Sequence, residues 1–281
     1  MAMTLEEILA SHRTATPVVM GILNVTPDSF SDGGRFLDAV AAIAHAEQMV
    51  AQGASILDVG SESTRPGSDP VSAEEQIDRL REVLPALVSM GVVVSIDTTC
   101  APVARFALDA GATIVNDVAA GRMDAELLPL AAERGAAVCL MYMLGEPKTM
   151  QADPQYDDVV AEVTAFLIHR LATAVAAGVP KDHIILDPGI GFGKRLAHNV
   201  ALLANLDVLA SLGQPILVGA SRKRFIGELT GQAQADDRLA GSLAAALASY
   251  PAATIFRVHD VAETVQALAV ARAIVDARRA R

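Results

Sequence analysis

Short apolar runs and polar stops alternate along this chain at a regular interval. Residues 18–23 form an apolar run that halts at Asn24, 55–60 form a second, and 92–96 form a third that halts at Asp97. The fourth, 113–115, ends in Asn116-Asp117, the fifth covers 137–141, and the sixth, 184–186, ends at Asp187. The seventh spans 215–218, and the eighth, 254–258, carries Arg257 near its end. Runs of this length, apolar throughout rather than alternating, predict strands buried on both faces. Between them apolar residues recur at helical spacing. That spacing predicts helices over 38–53, 72–90, 101–110, 124–134 and 156–177, another within 196–212, one over 238–249, and a last one from about 260 through 277. A short extra helix fits 224–229.

Eight strand–helix units in this order imply parallel strands joined by right-handed crossovers. Eight such units in a chain of 281 residues match a closed (β/α)8 TIM barrel in number and size. A doubly wound open sheet is the second choice and usually needs fewer units. No Pro/Ser-rich linker divides the chain, so the expectation is one domain over 1–281, with 1–16 as an N-terminal extension.

Composition narrows the class. The hydrophobic share is 52% and the net charge −11. The acidic balance argues against generic binding to nucleic acid or to an anionic membrane. Cys100 and Cys139 lie in no metal or CxxC pattern and read as reduced thiols. No stretch near the start has the form of a signal peptide, and the apolar segment 136–144 is too short to span a bilayer. The expectation is a soluble cytoplasmic protein.

In a barrel of this kind the active site lies at the C-terminal ends of the strands. Those positions hold Asn24, Thr64-Arg65, Asp97, Asn116, Met141, Asp187, Ser221 to Lys223, and Arg257 to His259. Helix capping accounts for any one strand-end Asp or Asn, but not readily for a full ring. The ring is sorted by charge. Asp97, Asn116 and Asp187 form an acidic and amide side, suited to a heterocycle with an amino group beside a ring N–H. Arg222, Lys223, Arg224, Arg257 and His259, with Arg65 nearby, form a basic side where this fold usually holds phosphate. The segment 184–194, I-I-L-D-P-G-I-G-F-G-K, is neither a Walker loop nor a dinucleotide fingerprint, because Pro188 and Lys194 occupy positions that those motifs give to glycine. The combination points to a planar, base-like substrate bearing phosphate or diphosphate. A diphosphate leaving group calls for Mg²⁺, which takes few protein ligands.

Five segments carry a resemblance. M-G-I-L-N-V-T-P-D-S-F-S-D-G-G (20–34), E-S-T-R-P-G (62–67), D-P-G-I-G-F-G-K (187–194), S-R-K (221–223) and R-V-H-D (257–260) closely resemble the dihydropteroate synthases, the folate-pathway targets of the sulfonamides. The likeness runs from about residue 18 to 263. It implies condensation of 6-hydroxymethyl-7,8-dihydropterin diphosphate with p-aminobenzoate to give 7,8-dihydropteroate and diphosphate, through a cation at the pterin methylene. It implies pterin contacts from Asp97, Asn116, Met141, Asp187, Phe192 and Lys223. Asn24, Arg257 and His259 would hold the diphosphate, with Asn24 a Mg²⁺ ligand. Phe30, Thr64, Arg65, Pro66 and Ser221 would form the aminobenzoate pocket, with segments 26–34 and 61–67 closing over it. Catalytic roles would fall to Asp32, which stabilises the cation, and to Arg65 and Lys223. A homodimer packed through outer helices is implied as well. One departure is Tyr142, where the resemblance leads one to expect His.

Three other readings fit parts of the pattern: a pterin-dependent methyltransferase on the same barrel, a non-catalytic pterin-binding relative, and a barrel aldolase or isomerase using Lys223 as a Schiff-base lysine. The methyltransferase would not need the basic side, and the aldolase would leave the acidic side without a purpose.

Overall fold

The computed structural model describes residues 3–25, 35–62, 71–145 and 150–280, with the side chains of 35–38 left aside. Phe30, Asp32, Thr64, Arg65 and Pro66, and the loop segments that carry them, lie outside the described residues.

The chain opens with two short helices, α1 (Leu5–Leu9) and α2 (Ser11–Thr14). A capping box starts α1: Thr4 Oγ1 accepts from the Glu7 amide and Glu7 returns a carboxylate to the Thr4 amide. The alternation then begins: β1 (Val18–Asn24), α3 (Arg35–Ala51), β2 (Ile56–Gly60), α4 (Ala73–Leu80), α5 (Leu84–Ser89), β3 (Val93–Asp97), α6 (Ala101–Asp109), β4 (Ile114–Asp117), α7 (Leu127–Glu133) and β5 (Ala137–Met141). It continues with α8 (Val159–Ala176), β6 (Ile184–Asp187), α9 (Leu196–Ala204), α10 (Leu206–Ala210), β7 (Leu217–Val218), α11 (Arg224–Thr230), α12 (Leu239–Ser249), β8 (Ile255–Val258) and α13 (Val261–Arg279).

The expected helix over 72–90 is two helices. Pro85 sits in the first turn of α5, where its missing N–H is harmless, whereas inside one continuous helix it would remove a hydrogen bond. The segment 196–212 likewise divides at Asn205 into α9 and α10.

All strand pairs are parallel, in the order β6-β5-β4-β3-β2-β1-β8-β7. The ring is completed between β6 and β7 by a single bridge, Leu186 to Ile216, and by the Leu186 amide donating to the Pro215 carbonyl at 3.0 Å. This is the (β/α)8 barrel that the hydrophobic pattern predicts, with β7 its shortest strand.

Alternation along each strand sends side chains to two different cores. Outward residues such as Leu23, Leu57, Val59, Ile96, Val138 and Phe256 pack under the helices. Inward residues Val18, Met20, Ile56, Ile114, Ala137, Cys139, Ile185, Leu217 and Ile255 fill the barrel interior, and Ile8 and Leu9 of α1 join them. The N-terminal segment, an extension in the sequence reading, is thus the floor of the barrel. Ser11 bonds Thr254 side chain to side chain at 2.9 Å, and Tyr250 and Arg272 both donate to the Ala15 carbonyl.

Helix α8 is long and apolar enough to cross a membrane by length and composition. Here it lies on the barrel, burying Val163, Leu167 and Ala174, and Arg170 donates from Nε to the Ala120 carbonyl at 2.7 Å.

Candidate active site at the C-terminal mouth

Further along the same inward faces the side chains turn polar: Asp58 on β2, Ser95 and Asp97 on β3, Asn116 on β4, Asp187 on β6 and Arg257 on β8. Asp58, Ser95, Asp97, Asn116 and Asp187 are all buried. Buried carboxylates require partners, and Arg257 supplies them. Its Nε donates to Asp58 Oδ2 at 2.6 Å and its Nη2 to Asp97 Oδ2 at 2.8 Å. Asn116 Nδ2 also donates to Asp58 Oδ2, at 3.0 Å. One oxygen of each acid, Asp58 Oδ1 and Asp97 Oδ1, is buried with no hydrogen-bond partner. Asp97 Oδ1, at the strand end, suits a ligand edge rich in N–H groups.

Burial sets the protonation behaviour here. It pushes the Asp97 carboxyl up to about 7, with Arg257 pulling the other way and Asp58 adding to the rise. It also raises Asp187, against the pull of Lys223 and of the Gly189 amide. Burial opposes the charge on Arg257, but the Asp58 and Asp97 carboxylates outweigh it and hold the guanidinium protonated more firmly than usual.

The loop after β6 is built on glycines. Asp187 Oδ1 accepts from the Gly189 amide at 2.7 Å. Gly189 has φ +67°, and a Cβ there would stand 1.8 Å from the Tyr142 carbonyl oxygen, so only glycine fits. Lys194, nearly fully buried, donates from Nζ to the Gly189 and Phe192 carbonyls at 2.9 and 3.0 Å, and lies 4.5 Å from the centroid of the Tyr142 ring. Tyr142 packs edge-on against Phe166 and also lies beside Tyr156, whose hydroxyl donates to the Gly193 carbonyl at 2.8 Å. The residue that departs from the expected His is therefore part of an aromatic support beneath this loop.

Lys223, at the start of α11, reaches across to that loop. Its Nζ donates to the Ile190 carbonyl and lies 4.4 Å from the Phe192 ring centroid. Burial lowers the ammonium to about 8, against the favourable pull of Asp187. Phe192 in turn packs on Val118, Met141, Met143 and Met150, which form an apolar wall at the mouth.

The expected basic side is not assembled as the sequence suggests. Arg222 has φ +58°. Its backbone is held by Ser242 and Arg238, and its guanidinium turns to Asp260 and Asp236. Arg224 is 87% exposed in its side chain and pairs with Glu228. Local carboxylates take both cations away from the mouth. Arg257 remains there, but between two acids. His259 and Ser221 are joined, with Oγ and Nδ1 3.1 Å apart and the His259 amide donating to Ser221 Oγ at 3.2 Å. On the other side Asn24 Oδ1 and Asp97 Oδ2 border the space over Gly60, each 3.8 Å from where a Cβ on that glycine would be.

Asp97, Asn116, Met141, Asp187, Phe192, Lys223 and Arg257 thus converge on one well, with Asn24 on its rim and the Ser221–His259 pair at the ends of β7 and β8. Asp58 is the member the sequence reading missed. It sits mid-run in I-L-D-V-G, and only its shared parity with Ile56 and Gly60 marks it as inward.

Residues 20–259 match the family described as pterin binding enzymes. The dihydropteroate synthase of Neisseria meningitidis serogroup B is 50% identical over 264 residues, 92% of this chain and 93% of that relative. A dihydropteroate synthase structure from Xanthomonas albilineans with 4-aminobenzoic acid superposes with a TM-score of 0.87 at 48% identity, covering 92% of this chain and 93% of that one. A structure of the enzyme from the same organism, in complex with 7,8-dihydropteroate, gives a TM-score of 0.84 at 44% identity, over 97% and 95%. Among the readings the sequence leaves open, these likenesses select one: the chain belongs to the pterin-binding enzymes and, within them, to the dihydropteroate synthases.

Proposed function

We propose that this transferase ionises the methylene C–O bond of 6-hydroxymethyl-7,8-dihydropterin diphosphate and lets p-aminobenzoate capture the resulting cation. The observation that carries the reading is the buried polar cluster itself: Asp97, Asn116 and Asp187 are buried at the ends of β3, β4 and β6, Asp97 Oδ1 has no hydrogen-bond partner, and the Met141–Phe192 wall and Lys223 stand at the same mouth. Asp97, Asn116, Asp187 and Lys223 hold the pterin by its polar edge, while Met141 and Phe192 pack on its ring. Related enzymes bind 4-aminobenzoic acid and 7,8-dihydropteroate, and we carry those ligands over to this chain. Phe30, Thr64, Arg65, Pro66 and Ser221 form the aminobenzoate pocket.

The electron-rich pterin delocalises positive charge as the bond ionises, so the protein needs no strong nucleophile of its own. Arg257 and His259 bind the departing diphosphate, and Asp32 stabilises the cation electrostatically. Arg65 and Lys223 complete the catalytic set. Residues 26–34 and 61–67 exclude water, which would quench the cation.

Mg²⁺ is the cofactor of this reading. Among the described residues no cluster of three or more His, Cys, Asp or Glu could hold a metal. The Asn24 oxygen, bordering the space over Gly60, suits a hard cation that keeps most of its waters. Bound at Asn24, Mg²⁺ would screen the charge of the diphosphate.

The test is Mg²⁺-dependent diphosphate release from the dihydropterin diphosphate, with and without p-aminobenzoate. Release that is lost with EDTA, with dihydropteroate formed in step, supports the reading. Release indifferent to the metal overturns the cofactor assignment.

A cytoplasmic homodimer completes the proposal. Ile168 and Val175 on α8, Val200 on α9 and Val208 on α10 are exposed on neighbouring outer helices, a surface suited to a second copy. Sedimentation as a monomer at micromolar concentration overturns the dimer.

A further inference from the structure

Asp58 lies two strands from Asn116 in one direction and two strands from Arg257 in the other. Its carboxylate is fully buried, and one oxygen, Oδ2, accepts from both. Two consequences follow from hydrogen-bond chemistry. An Arg beside a single carboxylate favours the two-pronged fork. With Nε held by Asp58, Arg257 reaches Asp97 through Nη2 alone, and Asp97 Oδ1 is left unpartnered. The Asn116 amide is likewise fixed in sense. With Nδ2 committed to Asp58, its oxygen is the end that remains for a ligand.

We propose that Asp58 is a positioning residue for pterin recognition: by holding Arg257 side-on and Asn116 by its nitrogen, it keeps an oxygen of each of Asp97 and Asn116 available to the N–H groups of the substrate. This deepens the proposed reading of the pocket and rests on it. Asp58 touches no reacting atom in this account. It works through its two partners, and without it Arg257 swings fully onto Asp97 and competes with the pterin for that carboxylate.

The competition gives a signature that loss of packing does not. In D58N, which preserves shape, calorimetry with the dephosphorylated dihydropterin should show affinity about tenfold weaker, the scale of one charged hydrogen bond. KM for the pterin diphosphate should rise more than kcat falls. Adding R257Q should restore dephosphorylated-pterin affinity in D58N/R257Q towards the level of R257Q alone, because the competing cation is gone. If D58N does not fold, D58N/R257Q, which has no unpaired guanidinium, supplies the reading by the same comparison. D58N binding like wild type, or a double variant weaker than either single variant, overturns the proposal. D97A separates the two levels. If D97A leaves pterin affinity unchanged, the pocket assignment falls and this proposal with it. If D97A abolishes binding while D58N matches wild type, only the role of Asp58 falls.

Discussion

The Lys223 ammonium lies 4.4 Å from the centroid of the Phe192 ring while donating to the Ile190 carbonyl. A cation over an aromatic face is favourable even when desolvated. The same contact ties the loop after β6 to the loop after β7, so the two sides of the mouth share one side chain.

Because burial holds Lys223 near 8 and Asp97 near 7, pterin affinity should depend on pH in both directions. Asp97 is faced by Arg257, Asp58, Asp117 and Glu62, and Lys223 by Asp187 and Arg257. Below about 7 Asp97 takes up a proton and loses its charge and part of its accepting capacity, so affinity falls as pH drops. Above about 8 Lys223 loses its charge and affinity falls again. Calorimetry from about pH 6 to about pH 9 should give a bell. A flat profile would sink the assignment of both groups.

Asp187 should be indispensable. It is buried, and its Oδ1 already accepts from the Gly189 amide. D187A removes the anchor of the following loop and, with it, the acceptor proposed for the pterin edge. The expected result is loss of pterin binding by calorimetry with the fold retained by circular dichroism. Unchanged affinity counts against the pocket.

Gly189 tests the loop independently of any ligand. In G189A the new methyl group would meet the Tyr142 carbonyl oxygen at 1.8 Å, at a φ of +67°. Neither backbone can yield cheaply, so stability should drop by about 3 kcal/mol or more. A melting temperature equal to wild type would contradict the packing described.

Ile8 tests the floor of the barrel. It is fully buried against the interior strands. I8A should cost about 3 kcal/mol in denaturant unfolding, the usual scale for emptying such a site. A cost under about 0.5 kcal/mol, typical of a surface position, would mean that α1 is not integral to the barrel.

The parts of the fold and site legible in the sequence share one physical cause. Asp97, Asn116 and Asp187 each end an apolar run, so both the strand and its exit toward the mouth are visible. Pro85 was equally visible, but its effect on the 72–90 helix depends on whether packing favours a straight or a broken path. Asp58 was hidden because apolar residues flank it. A buried carboxylate is affordable there only because Arg257, 199 positions away, meets it. Arg222 misled for the opposite reason: its position promises a cation at the mouth, but Asp260 lies close enough to claim it. Ile8 and Leu9 gave no strand or long helix to recognise, and their destination is set by an opening that exists only once the barrel has closed.

The helix beneath the barrel also gives the interior a direction. With Ile8 and Leu9 sealed into the base among Met20, Ile56 and Ile185, the well is a blind alley. Both substrates must arrive through the upper rim, and both products must leave by it.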